Sequence, residues 1–314
     1  MTGALRPTVS LEDTICPICD TLGNAEEVYP ANFDFEDFNT EIFSARRLPD
    51  QIHYRIVRCN RCGLLRSDPV ISDGEFLNQL YSASHFTYST EIDNLKQTYG
   101  KYLKRVPLPA TPDKVLIEIG GGNGFFLTQA LEQGYNQVYN IEPSEDAIRQ
   151  APSGLEKSMI CDVFREGLFD ANTVDTICFF QVFDHLPQPL ETLQICYNIL
   201  KPGGTILFLN HNAKAFSAKI LGKRSPIIDI EHTYLYDPQT LSQFVEKMGF
   251  SVIESGAVKN QYSLGYVLRL LYLPKPIKKA FINLVEKTPL KHIKGSFPLG
   301  NMYLIAQKPL KTGN

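Results

Sequence analysis

The chain has 314 residues, a net charge of −3 and 43% hydrophobic residues, enough for one large domain with additions or for two domains. That charge gives no global pull toward nucleic acid, no apolar run reaches bilayer-spanning length, and the N-terminus lacks the basic-then-apolar pattern of a secretion signal. The expectation is a cytoplasmic protein whose seven cysteines serve as thiols or metal ligands rather than disulfides.

Residues 1–14 read as a lead-in. Cys16-Pro17-Ile18-Cys19 and Cys59-Asn60-Arg61-Cys62-Gly63 are two C-x-x-C pairs. A gap of two residues lets both sulfurs of a pair face one ion, so Cys16, Cys19, Cys59 and Cys62 can hold one tetrahedral zinc. Its role would be structural, because four thiolates leave no open coordination position. The alternative is four free cysteines, or a site that has lost its metal. The gap between the pairs is long, so residues 26–51 are expected to loop out. Residues 1–70 are taken as one module. Asp73 to Tyr81 is a helix candidate, and YSASHFTY, Tyr81 to Tyr88, is an aromatic stretch. Thr90 to Val106 has helical periodicity and is expected to lie across the sheet edge. Pro107, Pro109 and Pro112 make a linker, so residues 71–112 read as a helical connector.

The organising stretch is VLIEIGGGNGFFL, Val115 to Leu127. Its apolar first half, with Glu118 inside, reads as a buried parallel strand. Gly120, Gly121, Gly122 and Gly124 follow, then a helix-compatible run from Phe125 to Gln133. Strand, glycine turn and helix open a nucleotide-binding α/β unit. The spacing is E-x-G-x-G-x-G rather than the G-x-G-x-x-G of a dinucleotide site. The next strand, Gln137 to Ile141, ends in Glu142, where an acid can accept both hydroxyls of a ribose. Lys157 to Ile160 is a third strand candidate, ending at Cys161-Asp162, where a carboxylate could meet an adenine amine. A fourth, Val174 to Phe180, leads into Gln181-Val182-Phe183-Asp184-His185. His185 thus lies beyond a strand end, where doubly wound folds bind ligands, and can act as a base or hold an acceptor. After a helix, Leu200-Lys201-Pro202-Gly203-Gly204 turns into the strand Thr205 to Leu209, followed by Asn210-His211-Asn212.

Ala213 to Arg224 is amphipathic and basic, a helix or lid. Glu231-His232-Thr233-Tyr234-Leu235-Tyr236 precedes a helix at Leu241 to Met248. Ser251 to Ser255 and Asn301 to Gln307 are the sixth and seventh strands, the last antiparallel. Between them lies an apolar, aromatic and basic insertion, residues 261–298. From Lys259 to Lys311 there are ten Lys or Arg and one acid, Glu286. Leu264, Val267, Leu268, Leu271 and Tyr272 fall at helical spacing, as do Ile277, Phe281, Leu284 and Val285; Pro274 and Pro276 separate the two runs. A basic-bordered apolar face suits a membrane interface, and equally a lid or dimer arm.

This succession of glycine loop, Glu142, Asp162, Asp184-His185 and LKPGG resembles the class I S-adenosylmethionine-dependent methyltransferases over about residues 113–250. The resemblance implies a Rossmann-like α/β domain, a seven-stranded sheet spanning 113–314 with the helical insertion before its last strand. It implies that Gly120, Gly122 and Gly124, with Glu118 and Gln181 beside them, line the methionine and ribose part of the cofactor, with Glu142 on the ribose and Asp162 on the adenine. RCNRCGLLRSDP looks like the zinc-knuckle module that precedes many bacterial sugar-modifying methyltransferases, in which a tyrosine after the module reaches the acceptor. Tyr81 and Tyr88 are the two candidates. The EHTYLY segment resembles the EHxxYF of the same enzymes, whose carbon-methylating members use the Glu-His pair for acid–base work; here these are Glu231 and His232, with loop anchoring as the alternative. The sugar carbon-methyltransferases carry a further Rossmann-like domain that this sequence does not show, which leaves oxygen and carbon acceptors both open. The expected activity is methyl transfer to a small acceptor, a sugar, in polysaccharide or secondary-metabolite assembly. An RNA methyltransferase and a silent cofactor-binding protein are the rivals. Nucleic acid is disfavoured as a partner, and a peripheral position at the inner membrane face follows if the insertion binds lipid.

Overall fold

The computed structural model describes residues 10–34, 52–71, 73–83, 92–108, 112–265, 268, 274–298 and 300–310. Short strands come first: β1 (Leu11–Glu12), β2 (Ala25–Tyr29), β3 (Ile56–Cys59), β4 (Leu65–Ser67) and β5 (Val70–Ile71). The helices α1 (Gly74–Ser82) and α2 (Ile92–Leu103) lead to the main sheet. Its elements are β6 (Val115–Ile119), α3 (Leu127–Glu132), β7 (Gln137–Ile141), α4 (Glu145–Arg149), β8 (Met159–Ile160), β9 (Val174–Phe180), α5 (Pro189–Ile199) and β10 (Leu200–His211). Then come α6 (Phe216–Leu221), β11 (Tyr234–Leu235), α7 (Pro238–Lys247), β12 (Ser251–Ala257), β13 (Asn260–Ser263), a helix Lys275–Glu286, β14 (Lys294–Phe297) and β15 (Asn301–Gln307).

The seven-stranded sheet has the order β12-β15-β10-β9-β6-β7-β8. β8, β7, β6, β9 and β10 run parallel, and β15 is antiparallel to both its neighbours. This is the Rossmann-like α/β arrangement. The chain builds outward from β6 through β7 to β8, then crosses back to β9 and β10. The order therefore reverses between β6 and β9, which opens a crevice at their carboxyl ends.

The strands form where side chains are buried on both faces. All seven residues of β9 are buried. Phe179 points into a cluster with Phe183, Phe208, Tyr236 and Phe244, while Phe180 joins Tyr99, Phe126, Leu116 and Leu207 on the other face. That alternation is the period of two expected of a strand. Asp175 inside β9 accepts from Val115 N at 2.9 Å and from Lys201 Nζ at 2.6 Å. The helix α7 begins at Pro238 because Asp237 caps it, accepting from Gln239 N and Thr240 N while Thr240 Oγ1 accepts from Asp237 N.

Two expectations are corrected. Residues 26–29 do not loop out; they form most of β2 and pair with β3. Its pattern AEEVY is that of an exposed edge strand, with both glutamates outward. The second concerns α2, which covers a face of the sheet rather than its edge. Tyr99 stacks on Phe180 of β9 at 4.1 Å between centroids and lies 5.8 Å from Phe125. Burying three aromatic rings together outweighs any edge position.

The N-terminal strands share the main core. Cys16, Cys59 and Leu64 lie in the cluster that holds Phe183 and Phe244. β2, β3 and β4 make a sheet whose fourth strand is β11, which follows β10 and α6 in the chain. Tyr234 pairs with Arg66 and Leu235 with Leu65.

Candidate functional site

The glycine loop leaves β6 at the reversal point. Gly120, Gly122 and Gly124 have φ of +68°, +59° and +72°, a region that side chains disfavour. At Gly121 the reason is space. A Cβ there would stand 2.3 Å from the Glu118 carboxyl carbon and 2.5 Å from Asn140 Oδ1. Asn140, fully buried in β7, pins the loop: it accepts from Gly121 N at 3.0 Å and donates through Nδ2 to Gly122 O at 2.7 Å.

Glu142 follows β7. Its Oε2 accepts from Gly122 N at 3.0 Å and its Oε1 from Ser144 N at 2.9 Å. Each oxygen is thereby oriented by a backbone N–H. Asp162 follows β8 and lines a cleft with Asn78, Gln79, Pro143 and Cys161. It pairs with Arg165 at 2.7 Å. Gln181 ends β9 in the left-handed region at φ +58°, donating its N–H to Leu209 O at 2.7 Å. Glu118, Gly120, Gly122, Gly124, Glu142, Asp162 and Gln181 are thus gathered at the carboxyl edge of β6 to β9.

The same edge carries an imidazole cluster around Asp184. Asp184 is 1% exposed, and its Oδ2 lies 2.8 Å from Nδ1 of His211, at the end of β10. His185 Nε2 is 3.7 Å from Asp184 Oδ1. The His232 ring lies 4.7 Å from that of His185 and 4.6 Å from that of His211, between centroids. Burial alone would raise the Asp184 pKa, but the His211 hydrogen bond and the neighbouring imidazoles outweigh it and hold the carboxyl well below the usual range. Burial pushes His185 down to about 4 and also lowers His232. Burial thus disfavours the charged form of His185 and His232, beside the Asp184 carboxylate. Asp184 therefore only accepts, and His211 Nδ1 is the donor. By the same argument His232 Nδ1 donates to Ile227 O at 2.8 Å, leaving its Nε2 with the lone pair.

His232 sits on a loop held by the N-terminal sheet. Ser67 N donates to Thr233 O at 2.9 Å, and Ser67 Oγ donates to His232 O at 3.0 Å. Thr233 N and Tyr234 N donate to Asp184 O. His232 Nδ1 is held by the Ile227 carbonyl. The carboxylates whose charge reaches His232 are Asp184 and Asp229. Glu231 is half-buried, and its N–H donates to Asp229 Oδ1 at 3.1 Å. Tyr81, near the end of α1, packs against a cluster containing Tyr54, Leu80 and Ile230. Tyr88 lies outside the described residues.

The four sulfur atoms of Cys16, Cys19, Cys59 and Cys62 lie within 4.8 Å of one another. Cys16 Sγ and Cys62 Sγ are 3.5 Å apart. Both pairs make tight knuckles: Asp20 N donates to Cys16 O, and Gly63 N to Cys59 O, each at 2.9 Å. Burial raises the Cys59 pKa, but the backbone N–H groups of Cys62 and Arg61 overcome it and bring the thiol down to about 6. The pre-formed geometry suits a tetrahedral thiolate metal site. Lys247 of α7 ties the first knuckle to the main sheet, donating to Pro17 O at 2.9 Å and to Asp20 Oδ2 at 2.6 Å.

Sequence reasoning missed Asn140, which gives no signal as a polar residue inside a strand. It named Asp184 and His211 without a role. Their only signal was position, since both follow strands at the carboxyl edge. A separate cavity, lined by Phe169, Asn172, Tyr197 and Lys308, lies at the amino ends of the strands.

Comparisons with known proteins bear on this edge. A family described as a methyltransferase domain matches residues 92–255. A ubiquinone biosynthesis O-methyltransferase of Coxiella burnetii is 25% identical over 177 residues, which is 51% of this chain and 75% of that protein. The enzyme of that name from Methylococcus capsulatus is 30% identical over 114 residues, 34% of this chain and 48% of the other. Among solved structures, a chain from the complex between the Haloferax volcanii Trm112 methyltransferase activator and a methyltransferase superposes with a TM-score of 0.50. It is 18% identical, with 70% of this chain and 92% of that one covered, and shows the fold alone.

Proposed function

The chain belongs to the methyltransferase-domain family, and on that premise we propose that it moves a methyl group from S-adenosylmethionine to a small acceptor. The observation that carries this reading is a single edge holding both a glycine cradle with oriented acids and a buried carboxylate–imidazole cluster. The cradle suits the cofactor: Gly120, Gly122 and Gly124 turn the backbone through positive φ, and Glu142 holds two carboxylate oxygens oriented by backbone N–H groups, suited to a ribose. Asp162 would meet the adenine amine in competition with Arg165. When bound, S-adenosylmethionine supplies an electrophilic methyl group on a sulfonium. The chain's own residues position the acceptor and take its proton. The lone pair of His232 or His185 accepts that proton, and Asp184 stabilises the imidazolium that results. Tyr81 and Tyr88 remain the aromatic candidates for the acceptor side.

The acceptor we favour is a sugar hydroxyl, or a sugar carbon next to a ketone. The oxygen version gains support from relatives named for O-methylation. Those relatives also favour a second reading, a lipid-borne ubiquinone precursor, with the enzyme peripheral on the cytoplasmic membrane face. In the helix Lys275–Glu286, Val285 is buried while Ile277, Phe281 and Leu284 are about half exposed, beside Lys278, Lys279 and Lys287. No helix among the described residues is long and apolar enough to cross a membrane. Contact would therefore be interfacial. We also assign a structural zinc to Cys16, Cys19, Cys59 and Cys62. The test is a mass-spectrometric screen with S-adenosylmethionine against nucleotide sugars and ubiquinone precursors. A cofactor-dependent methyl gain on one class selects the acceptor. Absence of S-adenosylmethionine binding in calorimetry would overturn the reading.

A further inference from the structure

We propose that Asp184, His211 and His232 form a second metal site, taking one divalent first-row cation at the carboxyl edge of the sheet. A carboxylate oxygen of Asp184 and one ring nitrogen from each histidine lie within 4.8 Å of one another. Two imidazoles and one carboxylate suit a first-row divalent ion and leave coordination positions open to other ligands.

The supporting contacts favour ligation. His232 Nδ1 donates to the Ile227 carbonyl at 2.8 Å, which fixes the tautomer with Nε2 unprotonated. Metal-binding histidines are held by the same kind of outer contact. The backbone carbonyl of Asp184 accepts from Thr233 N at 2.9 Å and from Tyr234 N at 3.2 Å. The loop bearing His232 is thereby fastened to the residue that supplies the carboxylate. His211 Nδ1 and Asp184 Oδ2, 2.8 Å apart, now share a proton. Octahedral donors about 2.1 Å from an ion stand about 3.0 Å apart, so a cation replacing that proton opens the pair by only a few tenths of an ångström. His185 stays outside the triad, with Nε2 3.7 Å from Asp184 Oδ1.

The open positions would bind the acceptor oxygen. A cation there stabilises the alkoxide or enolate left when the proton departs, and His185 becomes the imidazole that receives it. This catalytic role rests on the methyl-transfer reading. The metal site itself does not, and its test uses neither cofactor nor acceptor.

The thiolate site must be filled first, because it competes for metal. Protein loaded with one zinc at the cysteines is dialysed and titrated with cobalt(II), followed by calorimetry and visible absorption. The expected result is one further cobalt per chain with weak ligand-field bands and none of the intense sulfur-to-cobalt absorption of a thiolate site. His232→Ala and Asp184→Asn should each weaken uptake at least tenfold. His211→Gln, on a residue 23% exposed, serves as the variant least disturbing to the fold and should do the same. Melting curves identify any variant that is not folded. Absence of cobalt binding below 1 mM, or uptake unchanged in folded His211→Gln, would overturn the proposal.

Discussion

Replacing Gly121 by Ala tests the architecture of the cofactor edge. The new Cβ would stand 2.3 Å from the Glu118 carboxyl carbon, 2.4 Å from its Oε2 and 2.5 Å from Asn140 Oδ1. Ordinary contacts between such atoms are about 3.5 Å or more, so each neighbour must retreat by about 1 Å. Neither has room, since Glu118 is 1% and Asn140 0% exposed. Overpacking of this kind costs about 1–3 kcal/mol. Displacing Asn140 also breaks its bonds to Gly121 N and Gly122 O, about 1 kcal/mol each. The total is about 3–5 kcal/mol of folding stability, read as a lowered urea midpoint at unchanged m-value. S-adenosylmethionine affinity should fall with it, because Gly122 N is also the donor that orients Glu142. Gly74→Ala is the control: nothing lies within 4 Å of its Cβ and it opens α1, so its stability should hold or rise. A Gly121→Ala protein within 1 kcal/mol of wild type would refute the packing argument.

Four further outcomes are expected. Glu142→Ala should weaken S-adenosylmethionine binding by about 1.5–3 kcal/mol, roughly ten- to hundredfold, by calorimetry; equal affinity would mean the ribose lies elsewhere. Purified protein should carry one zinc by elemental analysis and lose it in Cys59→Ser, and metal-free protein that is folded and active would remove the assignment. His232→Ala should lower turnover by a factor of about 10² or more while cofactor affinity stays near normal; an unchanged rate would reduce His232 to a loop anchor. Anionic vesicles should pellet the protein at low salt, and changing Lys275, Lys278, Lys279 and Lys287 to Gln should abolish this, at about 1 kcal/mol per basic residue. Intact protein left in the supernatant would make the insertion a lid or an oligomer contact.

What the sequence revealed follows from how evenly each segment is buried. β6, β9 and β15 were readable to the residue, because strands covered on both faces are mainly apolar on both, with few polar interruptions. The acids after β7 and β8 were readable because a strand end fixes where its next residue stands. β2 was not, since an edge strand with two outward glutamates has the composition of a loop. Periodicity found α2 but could not say which surface it covers; the stacking of Tyr99 on Phe180 decides that. The imidazole cluster was the least legible part. Asp184, His211 and His232 come from three separated segments, and only the parallel register of β9 and β10 and the β4–β11 pairing bring them together.

The union of β4 with β11 has a consequence during synthesis. The Ser67–His232 contact spans 165 residues. At about 5–20 residues per second, the first-made strands wait about 8–33 s for their fourth member. Throughout that interval β4 is an unpaired edge, open to pairing with another nascent chain. Early metal capture by the cysteines would hold β3 beside β4 and limit that exposure to one edge. Zinc starvation during expression should therefore lower soluble yield more than removal of zinc from the finished protein lowers its solubility.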